Sequence, residues 1–233
     1  ERFLADWERA GGVQIPSVKP PTGKKVGVIG SGPAGLVVAA DCRREGHEVV
    51  LFEALHKMGG VMRYGIPEFR LPNEVVDAEI DTLEKMGVIF QTNFVVGKTR
   101  TLVDLLEKDH FDALFVGTGA GLPLFSGIPG ENLVGVFAAN EYLTRANLMG
   151  GIHKDEADTP LYPSERTVVL GGGNVAMDAC RMALRLGSKE VIVLYRRGRE
   201  EMPARYEEVE HALEEGVKIQ FLENGVEILG DDL

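Results

Sequence analysis

Cysteine is scarce in this sequence: two in 233 residues, Cys42 and Cys180. Two thiols cannot assemble a disulfide framework, a four-cysteine zinc site or an iron–sulfur cluster. Long apolar runs are missing as well, and none approaches the ~18 residues a membrane-spanning helix needs. Positive charge is in deficit, with 25 Lys and Arg against 36 Asp and Glu and a formal net charge of −11. That balance argues against a nucleic-acid binder, which needs a basic face to meet phosphates. The five histidines (His47, His56, His110, His153 and His211) have no metal-ligand spacing with another His, Cys or acid, so no metal site is expected. The remaining composition, 44% hydrophobic and 26% charged, is that of an ordinary globular chain of one to two domains.

Glycine, by contrast, is abundant. There are 29, above the usual ~7% of residues, and they cluster where backbone must come close to something. The apolar run VGVI at 26–29 reads as a strand buried in a parallel sheet. A glycine turn follows it, then a helix over 33–45 with Pro33 in its first turn, where a missing N–H costs nothing. EVVLFE at 48–53 reads as the next strand, completing a βαβ unit. Further helices are expected from Pro72 or Asn73, over 102–108 and over 139–148. Short strands are expected at 88–90, 94–96 and 113–116. The same grammar returns in TVVL at 167–170, a second glycine turn, a helix ending at Gly187, and VIVLY at 191–195. The fold class is therefore α/β, with two Rossmann-like dinucleotide-binding units. The expected organisation is a lead-in over 1–23, a first domain over 24–130, a connecting segment over 131–164 and a second domain over 165–233.

The first turn, GSGPAG, places Gly30, Gly32 and Gly35 in the three glycine places of G-x-G-x-x-G. Gly30 makes the tight turn, Gly32 lets a pyrophosphate reach the backbone, and Gly35 lets helix pack on strand. The helix N-terminus then offers N–H groups and a positive dipole to phosphate. Glu53 ends the second strand, 18 residues after Gly35, where a carboxylate can accept ribose hydroxyls. The second turn, GGGNVA, fits G-x-G-x-x-A with Gly171, Gly173 and Ala176. Its strand ends in Arg196 and Arg197, followed by Arg199, rather than in an acid. Guanidinium groups pair with a 2′-phosphate that a carboxylate would repel, so this unit favours NADP(H) over NAD(H). An acid-ending unit suits FAD, and the pair suggests a hydride relay. Such a relay needs placement of cofactors and no side-chain acid, base or nucleophile.

A disulfide reductase would need paired cysteines beside the flavin. Cys42 and Cys180 each lie alone in a predicted helix and read as small packing residues. The charged stretch 205–215 reads as an exposed helical face with salt-bridge spacing. Met202, Pro203 and Ala204, just after the arginines, mark a loop placed near the nicotinamide nucleotide.

Longer strings carry a resemblance. GSGPAGL, MGGVMRYGIPEFRLP (58–72), VGTGAGLP (116–123), IPGENL (128–133), ANEYLTRANLM (139–149), GGGNVAMD (171–178) and YRRGREEMPAR (195–205) resemble the glutamate synthase small (β) subunit. They are similar also to NADPH-dependent ferredoxin:NADP oxidoreductase large subunits. The resemblance implies FAD on Gly32, Ala34, Glu53, Gly60, Arg63 and Ile66, beside Gly30, Pro33 and Gly35 of the turn, with Val96, Thr118, Gly119 and Ala120 along the adenosine end. It implies NADP(H) on Gly172, Gly173, Asn174, Val175, Arg196 and Arg197.

The family also carries two [4Fe–4S] clusters in an N-terminal cysteine-rich segment that this sequence does not contain. Glu1 is expected just past that segment, and both dinucleotide units are expected to be incomplete on their C-terminal side. The implied activity is NADPH-dependent FAD oxidoreduction. The implied partner is a glutamate synthase large subunit or a ferredoxin-type carrier, with no nucleic acid and no membrane; self-association is left open. The alternatives are an electron-bifurcating ferredoxin:NADP oxidoreductase subunit and a nucleotide-binding module without turnover. The absence of an export signal and the few free thiols fit the cytoplasm.

Overall fold

Short continuous apolar runs, buried on both faces, build the centre of the first sheet. In a computed structural model, which describes residues 2–153 and 155–230, helix α1 (Arg2–Gly11) leads by an extended segment to strand β1 (Lys25–Ile29). Helix α2 (Pro33–Arg44) follows, then β2 (Glu48–Phe52), α3 (Val61–Tyr64), α4 (Asn73–Lys85), β3 (Ile89–Gln91), α5 (Leu102–Glu107) and β4 (Ala113–Val116). The strands are parallel in the order β3-β2-β1-β4. β2 lies inside the sheet, which is why Val49 to Phe52 is an unbroken apolar run. Val28, Val49 and Leu51 pack with Leu36, Ala39 and Leu83 on one face. Ile29, Val50 and Phe52 pack with Leu105 and Phe111 on the other.

The expected strand at 94–96 is not formed; only an isolated bridge joins Val96 to Arg100. Asn93 adopts a positive φ of 55° and turns the chain away from the ladder. Phe94 and Val96 instead pack against the Ile29–Phe52–Phe111 cluster, with the Phe52 and Phe94 rings 4.7 Å apart. The apolar pattern there records burial under a loop rather than sheet pairing.

The second sheet is built from β5 (Arg166–Leu170), β6 (Glu190–Tyr195) and β7 (Lys218–Phe221), again parallel and in that order. Helix α6 (Ala139–Asn147) precedes it; α7 (Asn174–Leu186) joins β5 to β6, and α8 (Tyr206–Glu214) precedes β7. Gly187 ends α7 in the left-handed region at φ 99°. Leu143 and Ala146 of α6 bury against Leu161, Met182 and Leu186.

Contacts divide the chain into two compact units, Glu1–Arg63 with Leu71–Ala120, and Tyr64–Arg70 with Gly121–Leu233. The division falls at Ala120 rather than after residue 130, and the expected connecting segment 131–164 is part of the second unit. The strap Tyr64–Arg70 also belongs to the second unit, although its neighbours on both sides belong to the first.

Charge holds that strap. Arg70 donates to both oxygens of Asp178, at 2.7 and 2.8 Å, and pairs with Glu208 at 3.1 Å. Arg181 bridges Glu208 and Glu215, each at 2.8 Å, and Arg185 also reaches Glu215. Phe69 lies under the Arg185 guanidinium, 3.8 Å from its ring centre. Glu208 and Glu215 are therefore spent on a partly buried network, and the stretch 205–215 is not simply the solvated face its spacing suggested.

This network makes stability pH-dependent. Hydrogen bonds from Arg185, then Arg181, hold the Glu215 carboxyl down at about 2. Burial pushes the Asp178 carboxyl up, against the opposing pull of Arg70. A depressed carboxyl stabilises the fold above its unfolded pKa, near 4.5, and that contribution disappears as pH falls toward 2. Asp178 acts in the opposite sense and softens the loss. In thermal melts followed by circular dichroism, Glu215→Gln should lower the melting temperature at pH 7 and flatten its decline between pH 4.5 and 2. A decline parallel to that of the unsubstituted chain would show that Glu215 is not the group responsible.

Candidate functional site

The three glycines of the first turn play different parts. Gly30 sits at φ 100°, and a β-carbon there would lie 2.4 Å from the carbonyl oxygen of Gly117. At Gly35 a β-carbon would lie 1.9 Å from the Gly30 carbonyl oxygen. At Gly32 it would meet nothing within 4 Å. Gly30 and Gly35 thus serve packing, and Gly32 opens the turn outward. No side chain caps the N-terminus of α2, Pro33 holds its first turn, and Pro33 and Ala34 are exposed. That is the arrangement expected of a pyrophosphate cradle.

Glu53 is buried, at 7% exposure. One carboxylate oxygen accepts from the Ser31 N–H at 3.0 Å and from the Ser31 hydroxyl; the other accepts from the Leu55 N–H at 2.9 Å. The Ser31 hydroxyl oxygen accepts in turn from the Gly59 N–H at 2.9 Å. The sequence points to Glu53 as an acceptor for ribose; the structure shows that it also ties the glycine turn to the 59–60 loop. Three of roughly four acceptor sites are occupied, leaving capacity for one more hydroxyl.

Gly60 packs directly on the turn, where its β-carbon would lie 2.7 Å from the Gly32 Cα. The Thr118 backbone flanks Gly30, and Thr118, Gly119 and Ala120 are exposed after β4. Other expected contacts are less direct. Arg63 is buried, reaching the Met58 carbonyl and pairing with Asp77. Val96 turns into the core cluster. Ile66 falls in the strap that belongs to the second unit.

The second turn differs in its middle glycine. Gly171 takes a positive φ of 128°, and Gly173 is open, with nothing within 4 Å of a β-carbon. Gly172, however, lies under the Tyr195 ring, which a β-carbon would approach to 2.7 Å. The Tyr195 hydroxyl donates to the Glu201 carbonyl at 2.6 Å. That contact fixes the loop carrying the arginines. No side chain caps α7, and Val175 at its first turn is half exposed.

Arg196 and Arg197 are exposed, and neither side chain has an ion pair or hydrogen bond among the described residues. Arg196 borders a cavity of about 140 Å³ with Gly171, Leu170, Ser126 and Asn224. Arg199 is drawn away to Glu210. The Ala204 N–H donates to the Gly172 carbonyl at 3.0 Å, and the Arg205 N–H donates to Asn174 Oδ1 at 2.9 Å. The 202–204 loop therefore folds onto the second turn. Sequence reasoning singled out neither Ser31 nor Tyr195; both act through contacts that no motif spacing encodes.

Among the described residues no cluster of His, Cys, Asp or Glu is arranged to hold a metal, and no helix is long and apolar enough to cross a membrane. Cys42 and Cys180 are both free. Burial raises both thiols, that of Cys180 to about 12, so neither is a ready nucleophile.

The family model for pyridine nucleotide-disulphide oxidoreductases matches residues 24–233. The glutamate synthase [NADPH] small chain of Halomonas elongata is 40% identical over 91% of this chain and 44% of its own length. The β subunit of the NADP(+)-dependent formate dehydrogenase of Moorella thermoacetica is 38% identical over 98% of this chain and 31% of its own. The chain thus spans less than half the length of each of these two relatives. Among solved structures, FprA of Mycobacterium tuberculosis in complex with NADPH superimposes with a TM-score of 0.66 at 24% identity, over 85% of this chain and 48% of that one. With two parallel sheets, each opening into a glycine cradle, and with this match, the chain belongs to the pyridine nucleotide-disulphide oxidoreductase family, and its motifs resemble those of glutamate synthase small chains.

Proposed function

We propose that this chain is the nucleotide-handling part of an NADPH-dependent flavoprotein oxidoreductase, with FAD on the first cradle and NADP(H) on the second. The observation that carries the reading is the contrast between the two strand tips. Glu53 offers acceptor capacity beside the first turn, whereas Arg196 and Arg197 stand unpaired and exposed beside the second. When bound, NADPH supplies a hydride and FAD accepts it. The chain's own residues hold and select. The open faces at Gly32 and Gly173 admit phosphate to backbone, the uncapped ends of α2 and α7 receive its charge, and the two arginines favour a 2′-phosphate over a bare hydroxyl.

The names of the relatives, glutamate synthase [NADPH] small chain and NADP(+)-dependent formate dehydrogenase β subunit, support NADP(H) and a partner subunit. They leave two acceptor classes: a glutamate synthase large subunit, or a ferredoxin-type or dehydrogenase partner. Iron–sulfur clusters, where the whole protein has them, belong outside these 233 residues, and the free thiols fit a reducing compartment such as the cytoplasm. The test is spectroscopic. The purified chain reconstituted with FAD should be yellow, and under anaerobic conditions NADPH should bleach it faster than NADH. Flavin and NADP(H) binding without bleaching would favour a module without turnover; no dinucleotide binding at all would defeat the assignment.

A further inference from the structure

The loop after β6 is fixed at both of its ends, and one of them is bonded to the second cradle. At one end, the Tyr195 hydroxyl holds the Glu201 carbonyl, and the Gly198 N–H donates to the Glu201 carboxylate at 2.7 Å. At the other, Gly172 accepts from Ala204 and Asn174 accepts from Arg205. Asn174 is the first residue of α7. Its side-chain oxygen is therefore already engaged in fixing the backbone of a cation at the mouth of the open Gly173 turn. The Arg205 side chain is 72% exposed, and its nearest acid is Glu207 at 3.9 Å. It flanks the start of α8 with an extended backbone at φ −62° and ψ 140°, and its contact with Glu207 in the first turn of that helix is long and exposed, the kind of surface pair that holds a side chain weakly.

We infer that Arg205 is a phosphate-binding residue of the second cradle, directed at the phosphate on the 5′ side of the adenosine, and that Asn174 is the positioning residue that places it. The inference rests on the second cradle taking NADP(H). It assigns two anion points to one loop: Arg196 and Arg197 for the 2′-phosphate, Arg205 for the 5′-linked phosphate. The loop then carries both anion points, closed on itself at its 195–201 end and hydrogen-bonded to the glycine turn at its 204–205 end. This division of labour predicts which ligands each residue senses.

Equilibrium binding separates these roles. The probes are NADP⁺, NAD⁺, adenosine 2′,5′-bisphosphate and adenosine 2′-monophosphate, measured by calorimetry on the FAD-reconstituted chain. Arg205→Ala should weaken NADP⁺, NAD⁺ and the 2′,5′-bisphosphate by about tenfold each, the order of one charge-assisted hydrogen bond at an accessible site. It should leave the 2′-monophosphate unchanged, which also reports that the cradle is folded. Asn174→Ala should give the same pattern. The double variant should be no weaker than Arg205→Ala alone, because both changes remove one contact. Equal weakening of the 2′-monophosphate, additive losses, or an Arg205→Ala variant that binds all four probes normally would overturn the inference. Failure of the unsubstituted chain to bind any probe would instead strike the NADP(H) reading beneath it.

Discussion

Gly32→Val should yield a folded chain that no longer loads flavin. The backbone at Gly32, φ −67° and ψ 178°, is one a β-branched residue adopts readily. A β-carbon there meets no protein atom within 4 Å, so the apo fold has no reason to suffer. The added isopropyl group occupies the space through which a pyrophosphate would reach the N–H groups of the turn. The loss combines about 1–3 kcal/mol of overpacking with at least one charged hydrogen bond at ~1.5–3 kcal/mol, or about a hundredfold or more in affinity. Flavin content per chain and the far-ultraviolet dichroism spectrum decide the matter together. Gly35→Val is the contrasting control. There the β-carbon would overlap the Gly30 carbonyl, and the expected result is a destabilised fold. Full flavin occupancy in folded Gly32→Val would mean that phosphate does not sit on this turn.

The second large effect is in nucleotide choice. Replacing Arg196 and Arg197 together with alanine should raise the KM for NADPH by about a hundredfold and leave that for NADH almost unmoved. Two charge-assisted hydrogen bonds at the low end of ~1.5–3 kcal/mol give that size. The loop itself should survive, because its anchors are backbone groups and other side chains: Arg197 contributes its carbonyl to the Leu222 N–H, and Tyr195 and Glu201 hold the turn. Equal losses for both nucleotides would show that the arginines respond to something other than the 2′-phosphate.

Strands and helices with local signals were legible in the sequence. Pro33 at a helix start, Gly187 at a helix end and the apolar runs at β1, β2, β5 and β6 all appear where pattern and turn chemistry put them. The segment 94–96 misled, because a loop that half-buries Phe94 and Val96 alternates just as a strand does. The short helix α3 was invisible, since four residues carry too little periodicity. At the cradles, the glycines and strand-end charges were readable because each has its own steric or electrostatic reason. The partners of those groups were not. Ser31 meets Glu53 across 22 residues of chain, Arg205 meets Asn174 across 31, and Arg70 meets Asp178 across 108; such pairs exist only once the sheets have formed.

The last of these pairs limits how the gene can be divided. A cut after Ala120 looks natural, since everything downstream belongs to one compact unit. Yet that fragment would leave behind the arginine that neutralises Asp178 and one oxygen of Glu208. Asp178, 5% exposed in the whole chain, would lose the guanidinium that pairs with both its oxygens, a loss of the kind that destabilises a fold. Any attempt to graft, swap or express the downstream half must therefore import the heptapeptide YGIPEFR from upstream or neutralise Asp178 by substitution.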